Sequence, residues 1–460
     1  MTEKCDPHSG FSRRDFLWQG ALLAPVGAMG LGGRAAGSNR NTARGAAAVQ
    51  NKAELLPRLR ALGVNVDGLR SSLRLACSWI ADVAQMKSDK LTTEKNPHAL
   101  PYQHWKGAIR GEYNAALRQW SFFAPVWHTG QAIKALVFAS QILRDPSLLE
   151  SAELGAEFIG EARIIDAKNK NHGLIWGAEG VVHGVNTSCV LECLDGLMVL
   201  AKATGKAQYW TWVEEAVKWV AHNAYMGRGV FRDDYSVKRS LWINPPGDSW
   251  FPPMHGRPLL DDAIFLKAFK HTGLQEYRHI FYETADRLLR DESPPGNWIN
   301  YPPCNPLTGL IHPRQAYWWG YPQIAAYQNS GKAKYLDCAI RAGEWYIHAM
   351  RHDGGLFRGT FRDFNTNSFG QETSGIECAV ILWQGLWKLT HEDRWAAAMS
   401  KALEYCMRLQ FTKPSDPNLR GAILSTVMYP DGTDRLPYHL RDLGTIFFVQ
   451  AAAGVLAEAS

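Results

Sequence analysis

The stretch LRDLGTIFFVQAAAGVLAE, residues 440–458, is apolar on every side and crowded with Ala and Gly in its second half. A helix of that kind is buried all round and does not lie on a surface. Similar openings occur five times upstream: GQAIKALVFASQ from Gly130, NTSCVLECLDGLMVLAKATG from Asn186, DDAIFLKAFKHTG from Asp261, YWWGYPQIAAYQNSG from Tyr317 and ETSGIECAVILWQGLWKLTH from Glu372. Each follows a loop rich in Gly, Trp, His or acidic residues. After a short polar turn, a second, amphipathic helix is expected over 148–159, 209–221, 277–289, 335–349 and 395–408. Repetition of one helical hairpin marks an array in which each unit buries its apolar face on its neighbours.

The sixth opening has no following helix before Ser460. A partner is available at the front, where 56–83 reads as helix broken near Gly63 and carries Leu73, Leu75, Trp79 and Ile80. A ring closed in this way leaves no exposed end, unlike an open solenoid. The first helix of each pair is apolar or lined with Ala, Gly and Ser, whereas the second carries Lys, Arg and Glu at surface spacings, which puts the first on the inner wall and the second outside. The long connections 159–186, 221–261, 290–317, 350–372 and 409–440 all lead into inner helices, so the cleft is expected on that rim. Six inner and six outer helices with this connectivity make an all-α fold that resembles the (α/α)6 toroid, or six-hairpin barrel, of many glycoside hydrolases, polysaccharide lyases and sugar epimerases of the N-acylglucosamine 2-epimerase type. The resemblance covers residues 51–460 as one expected catalytic domain and implies a carbohydrate substrate.

Ahead of that body, Ser12-Arg13-Arg14-Asp15-Phe16-Leu17 precedes an apolar, Gly/Ala-rich stretch from Trp18 to Leu31. A twin-arginine pair before such a stretch reads as an export signal, with residues 1–48 as signal and flexible leader, cleavage between Ala35 and Ala48, and a periplasmic or secreted product. The export machinery is then a partner of the precursor, and no later apolar run is long enough for membrane insertion. The net charge of +6 falls to +3 once the six basic and three acidic residues of 1–50 are set aside, which argues against a nucleic-acid binder. The eight cysteines are scattered, so no disulfide framework is indicated, and Cys189 and Cys193, four apart, read as small core residues before they read as metal ligands. No glycine loop for phosphate or dinucleotide and no calcium loop is present, so neither cofactor nor metal is implied.

Residues just before or within the first turn of an inner helix point toward the cleft, where free backbone N–H groups also favour anions. Those positions hold Trp127 and His128; Trp176, Glu179, His183 and Asn186; Asp261 and Asp262; His312, Arg314, Tyr317, Trp318 and Trp319; Gln371 and Glu372; and Tyr438, His439, Arg441 and Asp442. Helix capping and loop packing account for part of this set. The aromatic residues suit the apolar faces of pyranose rings, with carboxylates and amides for their polar edges. Stiff Pro-rich stretches at 245–258 and 294–306 add shaped walls. Hydrolysis of a glycosidic bond requires one protonated and one ionised carboxyl group. Glu372 and Asp262 are the first choice, with Asp442 and Glu179 in reserve. A carboxyl group held against Trp318 or Trp319 would have its pKa raised, as a proton donor needs. The alternative is β-elimination from a uronate polymer, with a Tyr or His as base and an Arg, His or Asn as carboxylate neutraliser, drawn from His183, Asn186, His312, Arg314, Tyr317, Tyr438, His439 and Arg441. An epimerase or a non-catalytic glycan-binding protein also stays open.

Overall fold

The computed structural model describes residues 54–97, 99–179, 184–243, 256–366, 368–426 and 439–458. The export segment, His183, Tyr438 and most of the 245–258 wall lie outside the described residues. Thirteen α-helices run in chain order: α1 Leu55–Ala61, α2 Val66–Ser78, α3 Pro125–Leu143, α4 Pro146–Glu161, α5 Thr187–Thr204, α6 Ala207–Trp219, α7 Ile264–Thr272, α8 Gln275–Asp291, α9 Gln315–Ser330, α10 Ala333–Ala349, α11 Thr373–Thr390, α12 Asp393–Arg408 and α13 Leu443–Ala457. None of the described helices is long and apolar enough to cross a membrane. The five hairpins α3–α4 to α11–α12 turn on one left-handed residue each: Arg144, Gly205, Gly273, Gly331 and His391. That conformation ends a helix by satisfying its last carbonyls, and glycine adopts it without strain.

The inner wall is α3, α5, α7, α9, α11 and α13, each touching its ring neighbours, with the single turn Asp261–Ala263 ahead of α7 making the contact to α9. Helix α13 packs on α11, α3 and α2, so the front helix fills the outer position left beside it. Trp79 and Gln410 tie this seam: the Trp79 indole donates to Asn418 O at 2.7 Å and the Gln410 amide to Ser72 O at 3.0 Å. The front segment breaks at Gly63, φ +97, as its sequence indicates. Between α3 and α5 the backbones nearly touch, because a Cβ on Gly196 would lie 2.1 Å from Gly130 O. Cys193 packs against Gly130 at the same crossing, and the cysteines among the described residues are unbridged and buried.

Two features of the rim were not legible beforehand. The first inner helix opens at Pro125, five residues earlier than expected, because proline is preorganised for the first helical position. Three small antiparallel sheets also clamp the long loops in pairs: β1 (Gly111–Asn114) and β2 (Gln119–Phe122) with β9 (His439–Arg441); β3 (Gly184–Asn186) with β4 (Asp234–Ser236) and β5 (Leu241–Trp242); β6 (Leu310–Ile311) with β7 (Phe357–Phe361) and β8 (Ser368–Gln371). Each sheet joins the loops leading into two neighbouring inner helices: α13 with α3, α5 with α7, and α9 with α11. Helix α7 has 9 residues against 19 in α3 and 18 in α5. At 1.5 Å per residue it is roughly half their length, with the single turn Asp261–Ala263 ahead of it.

Candidate active site

The floor of the cleft is built around Asp262. Its carboxylate accepts from Lys134 Nζ at 2.9 Å, from Gln131 Nε2 at 3.1 Å and from the Tyr317 hydroxyl at 3.4 Å. Gln131 is in turn bound by Gln450 of α13 at 3.0 Å, so α3, α7, α9 and α13 meet at one carboxylate. Asp262 and Ala263 both have left-handed backbone, φ 49 and φ 54. Non-glycine residues held there cost about 1–3 kcal/mol each and persist where their surroundings over-determine them, commonly at functional sites. Burial pushes the Tyr317 hydroxyl well above its ordinary pKa, with Lys134 opposing.

Asp261, beside Asp262, makes no cap hydrogen bond to the helix. Burial raises its pKa, with the Arg257 guanidinium opposing and Asp262 adding, and its Oδ2 has no hydrogen-bond partner among the described residues. Arg257 donates to Asp233, to Ser188 Oγ at 3.1 Å and to Pro302 O at 2.8 Å. Asn186 bridges the neighbouring loops, accepting from Glu179 N at 2.8 Å and donating to Asp234. Glu179 is buried with its Oε2 3.9 Å from Cys189 Sγ.

Across the ring stand three arginines. Arg314 contacts Glu372 at 3.3 Å, donates to Ser374 Oγ at 2.6 Å, and lies over the rings of Trp127 and Trp318. Arg358, on β7, reaches the other Glu372 oxygen at 2.7 Å. Arg441, on β9, pairs with Glu112, its register partner on β1, and stacks over Phe123. Although burial pulls the other way, Arg441 and His439 hold the Glu112 carboxyl well below its usual range. Arg358 is lowered to about 10, first by burial and then, against Glu372, by the charges of Arg441 and Arg314. Guanidinium charge therefore crowds this side. His312, half-buried, stacks on Trp318 with ring centroids 4.9 Å apart.

Several sequence expectations need correction. Of the two first-choice carboxylates, Glu372 is bracketed by the guanidinium groups of Arg314 and Arg358 and not by an indole. Asp442, a reserve carboxylate, is sealed from solvent 2.7 Å from His128, itself sealed; burial raises its pKa and His128 opposes. Trp319 packs edge-on against Trp298 and Tyr301 in the core. The Gln371 side chain accepts from Arg351 at 2.8 Å and from Tyr405 of outer helix α12, away from the axis. Trp176 lines a peripheral 250 Å³ recess with Tyr102, His104 and Phe158 of α4. The sequence reading missed Gln131, Lys134, Asp195, Arg257, Arg358 and Glu112.

No family model matches the chain, and no curated protein matches it. Solved structures do. An unsaturated glucuronyl hydrolase specific for heparin superposes with a TM-score of 0.61 at 13% identity, over 85% of this chain and 98% of that one. Cellobiose 2-epimerase from Spirochaeta thermophila gives 0.59 at 14%, over 87% and 98%. A D-mannose isomerase gives 0.58 at 12%, over 86% and 98%. The fold is the (α/α)6 toroid. At such identities the likeness fixes the architecture, and the chemistry of this toroid has to be argued from its own cleft.

Proposed function

We propose that this toroid is a carbohydrate-processing enzyme that hydrolyses a glycosidic bond in a uronate-bearing sugar. The observation that carries this reading is the crowding of three guanidinium groups on one side of the rim. Arg314, Arg358 and Arg441 lie on the strands and loop leading into α9, α11 and α13, sharing two carboxylates, Glu372 and Glu112, whereas Asp233 and Asp262 near α7 are each matched by a cation, Arg257 and Lys134. A neutral sugar is served by amides and aromatic faces, whereas crowded guanidinium groups suit a carboxylate, which they bind through paired N–H donors. A glucuronyl hydrolase among the structural relatives supports the same substrate class. In the reaction, Asp261 gives its proton to the leaving glycosidic oxygen as the bond to the anomeric carbon breaks. A water attacks that carbon and passes its proton to Asp262. Glu372 and Glu112 hold the arginines in place. The Arg13-Arg14 pair ahead of the apolar stretch 18–31 supports export to the periplasm or outside the cell, and replacing Arg13 and Arg14 with Lys should leave the precursor in the cytoplasm.

The test is incubation with neutral oligosaccharides and with uronate oligosaccharides bearing saturated or unsaturated ends, following reducing ends and ultraviolet absorbance. New reducing ends from uronate substrates without new absorbance support the proposal. New absorbance would mean elimination, an isomerised sugar without cleavage would mean epimerase chemistry, and binding with no product would mean a glycan-binding protein; each overturns it.

A further inference from the structure

Helix α3 carries one lysine along its 19 residues, Lys134, on a face buried inside the ring. Its ammonium sits 2.9 Å from Asp262 and 2.8 Å from Asp195 of α5. Asp195 also pairs with Lys267 of α7, whose side chain is 39% exposed while those of Asp195 and Lys134 are 2% and 8% exposed. Two lysines and two aspartates therefore form one chain, Asp262–Lys134–Asp195–Lys267, leading from the cleft floor to a partly solvated end. Its formal charge is balanced. A buried charge survives only when paired and hydrogen-bonded, yet the toroid needs no charge at this depth for its packing, since apolar residues fill the equivalent stretches of α13.

We infer that Lys134 is a positioning residue: divided between Asp262 and Asp195, it fixes the orientation and charge of the Asp262 carboxylate at the cleft floor. The role in turnover rests on the proposed hydrolytic function; the electrostatic role does not. Burial alone would lower the lysine's proton affinity, and Asp195 and Asp262 together outweigh it, so Lys134 remains a cation. The other titratable groups around Asp262 are Asp261 beside it, Glu192 and Asp195 on α5, Lys267 on α7, Tyr317 and Tyr321 on α9 and Cys378 on α11. Lys134 is the cation in direct contact with Asp262, so its removal leaves that carboxylate hydrogen-bonded to the neutral Gln131 and Tyr317 alone among the described side chains. Asp195 acts in the opposite sense, drawing off part of the lysine's charge and adding a negative one nearby.

The proposal is tested on the full chain without substrate, by isotope-edited infrared titration of ¹³C-aspartate-labelled protein, with Asp262→Asn subtracted to isolate the Asp262 band. Lys134→Met should raise the Asp262 midpoint by roughly one to three units, the effect of losing an opposite charge at contact. Lys134→Arg should restore most of it. Asp195→Asn should move the midpoint the other way, a sign that a merely structural ion pair would not produce and a variant that keeps the inference testable should the methionine protein fail to fold. An unchanged midpoint in both Lys134→Met and Asp195→Asn, or shifts of the same sign, overturns the inference. With a uronate oligosaccharide that is turned over, the acidic limb of kcat/KM should follow the infrared midpoints. Infrared shifts without turnover of any uronate would overturn the hydrolytic reading and leave this one standing.

Discussion

Glu377 is buried in the second turn of α11, where its carboxyl group meets the Cys406 thiol of outer helix α12 and has no oxygen or nitrogen partner among the described residues. Burial raises its pKa to about 8. An unfolded glutamate titrates near 4.3, so between about pH 4.5 and 8 the folded chain binds one proton more than the unfolded chain. Stability must then fall as pH rises through that window and level off above it. Glu377→Gln removes the proton while keeping the shape, so its thermal midpoint should change less than the wild type's between pH 5 and 8.5; parallel profiles would disprove the assignment. At the cleft floor, Asp262→Asn should lose at least about 10²-fold in turnover, the share a general base supplies, with the fold retained. Glu372→Gln should act through its arginines, raising KM more than it lowers kcat. Asp262 was within reach of sequence because it opens an inner helix. Lys134 and Asp195 lie mid-helix, away from the first turns that face the cleft, but they left a signal: a charge inside QAIKALVF or VLECLDGLM has no place on a buried helix unless another charge meets it.

At the level of elements, the hairpin repeat was readable because apolar inner helices alternate with amphipathic outer ones and each turn carries its own punctuation. The lengths were not. Helix α7 begins only after the left-handed Asp262–Ala263 turn, a conformation that no local residue preference announces. The short strands of the rim pair across loops far apart in sequence, as Glu112 does with Arg441, so neither residue type nor spacing marks them. Arg358 escaped for the same reason. Where two inner helices cross, the sequence does contain the answer in Gly130 and Gly196, whose backbones meet. Gly196→Ala would place a methyl 2.1 Å from a carbonyl oxygen on α3, and neither backbone can yield without moving its helix. Overpacking of this kind typically costs about 1–3 kcal/mol. Chemical denaturation should register that loss for Gly196→Ala but not for Gly205→Ser, where a Cβ meets nothing within 4 Å and only the left-handed backbone opposes it, a smaller penalty. Equal stability of Gly196→Ala and wild type would mean that α3 and α5 are less tightly apposed.

For the whole molecule, a net charge of only +3 outside residues 1–50 conceals a local excess of guanidinium charge, where Arg314, Arg358 and Arg441 share the carboxylates Glu372 and Glu112. Such a field orients a ligand that has a charged end and a neutral end, and it acts over a distance that salt shortens. Binding of a uronate oligosaccharide should therefore weaken as ionic strength rises, whereas a neutral oligosaccharide of the same length should bind weakly at every salt concentration. Arg358 is the informative position. It bonds Glu372 and Thr426 O, is already disfavoured as a cation by burial and by its two arginine neighbours, and is less deeply buried than Arg314. An anion arriving beside it relieves that repulsion. Arg358→Met should cost the uronate ligand about 1.5–3 kcal/mol, the worth of a charged hydrogen bond, which is roughly a tenfold to hundredfold loss in affinity. Part of the salt dependence should go with it. Calorimetric titration with both ligands in wild type and variant separates this from a loss of shape, because a distorted cleft would weaken the neutral ligand as well. If uronate affinity is indifferent to both salt and Arg358, the arginines serve the rim's own architecture and the anionic end of the substrate points elsewhere.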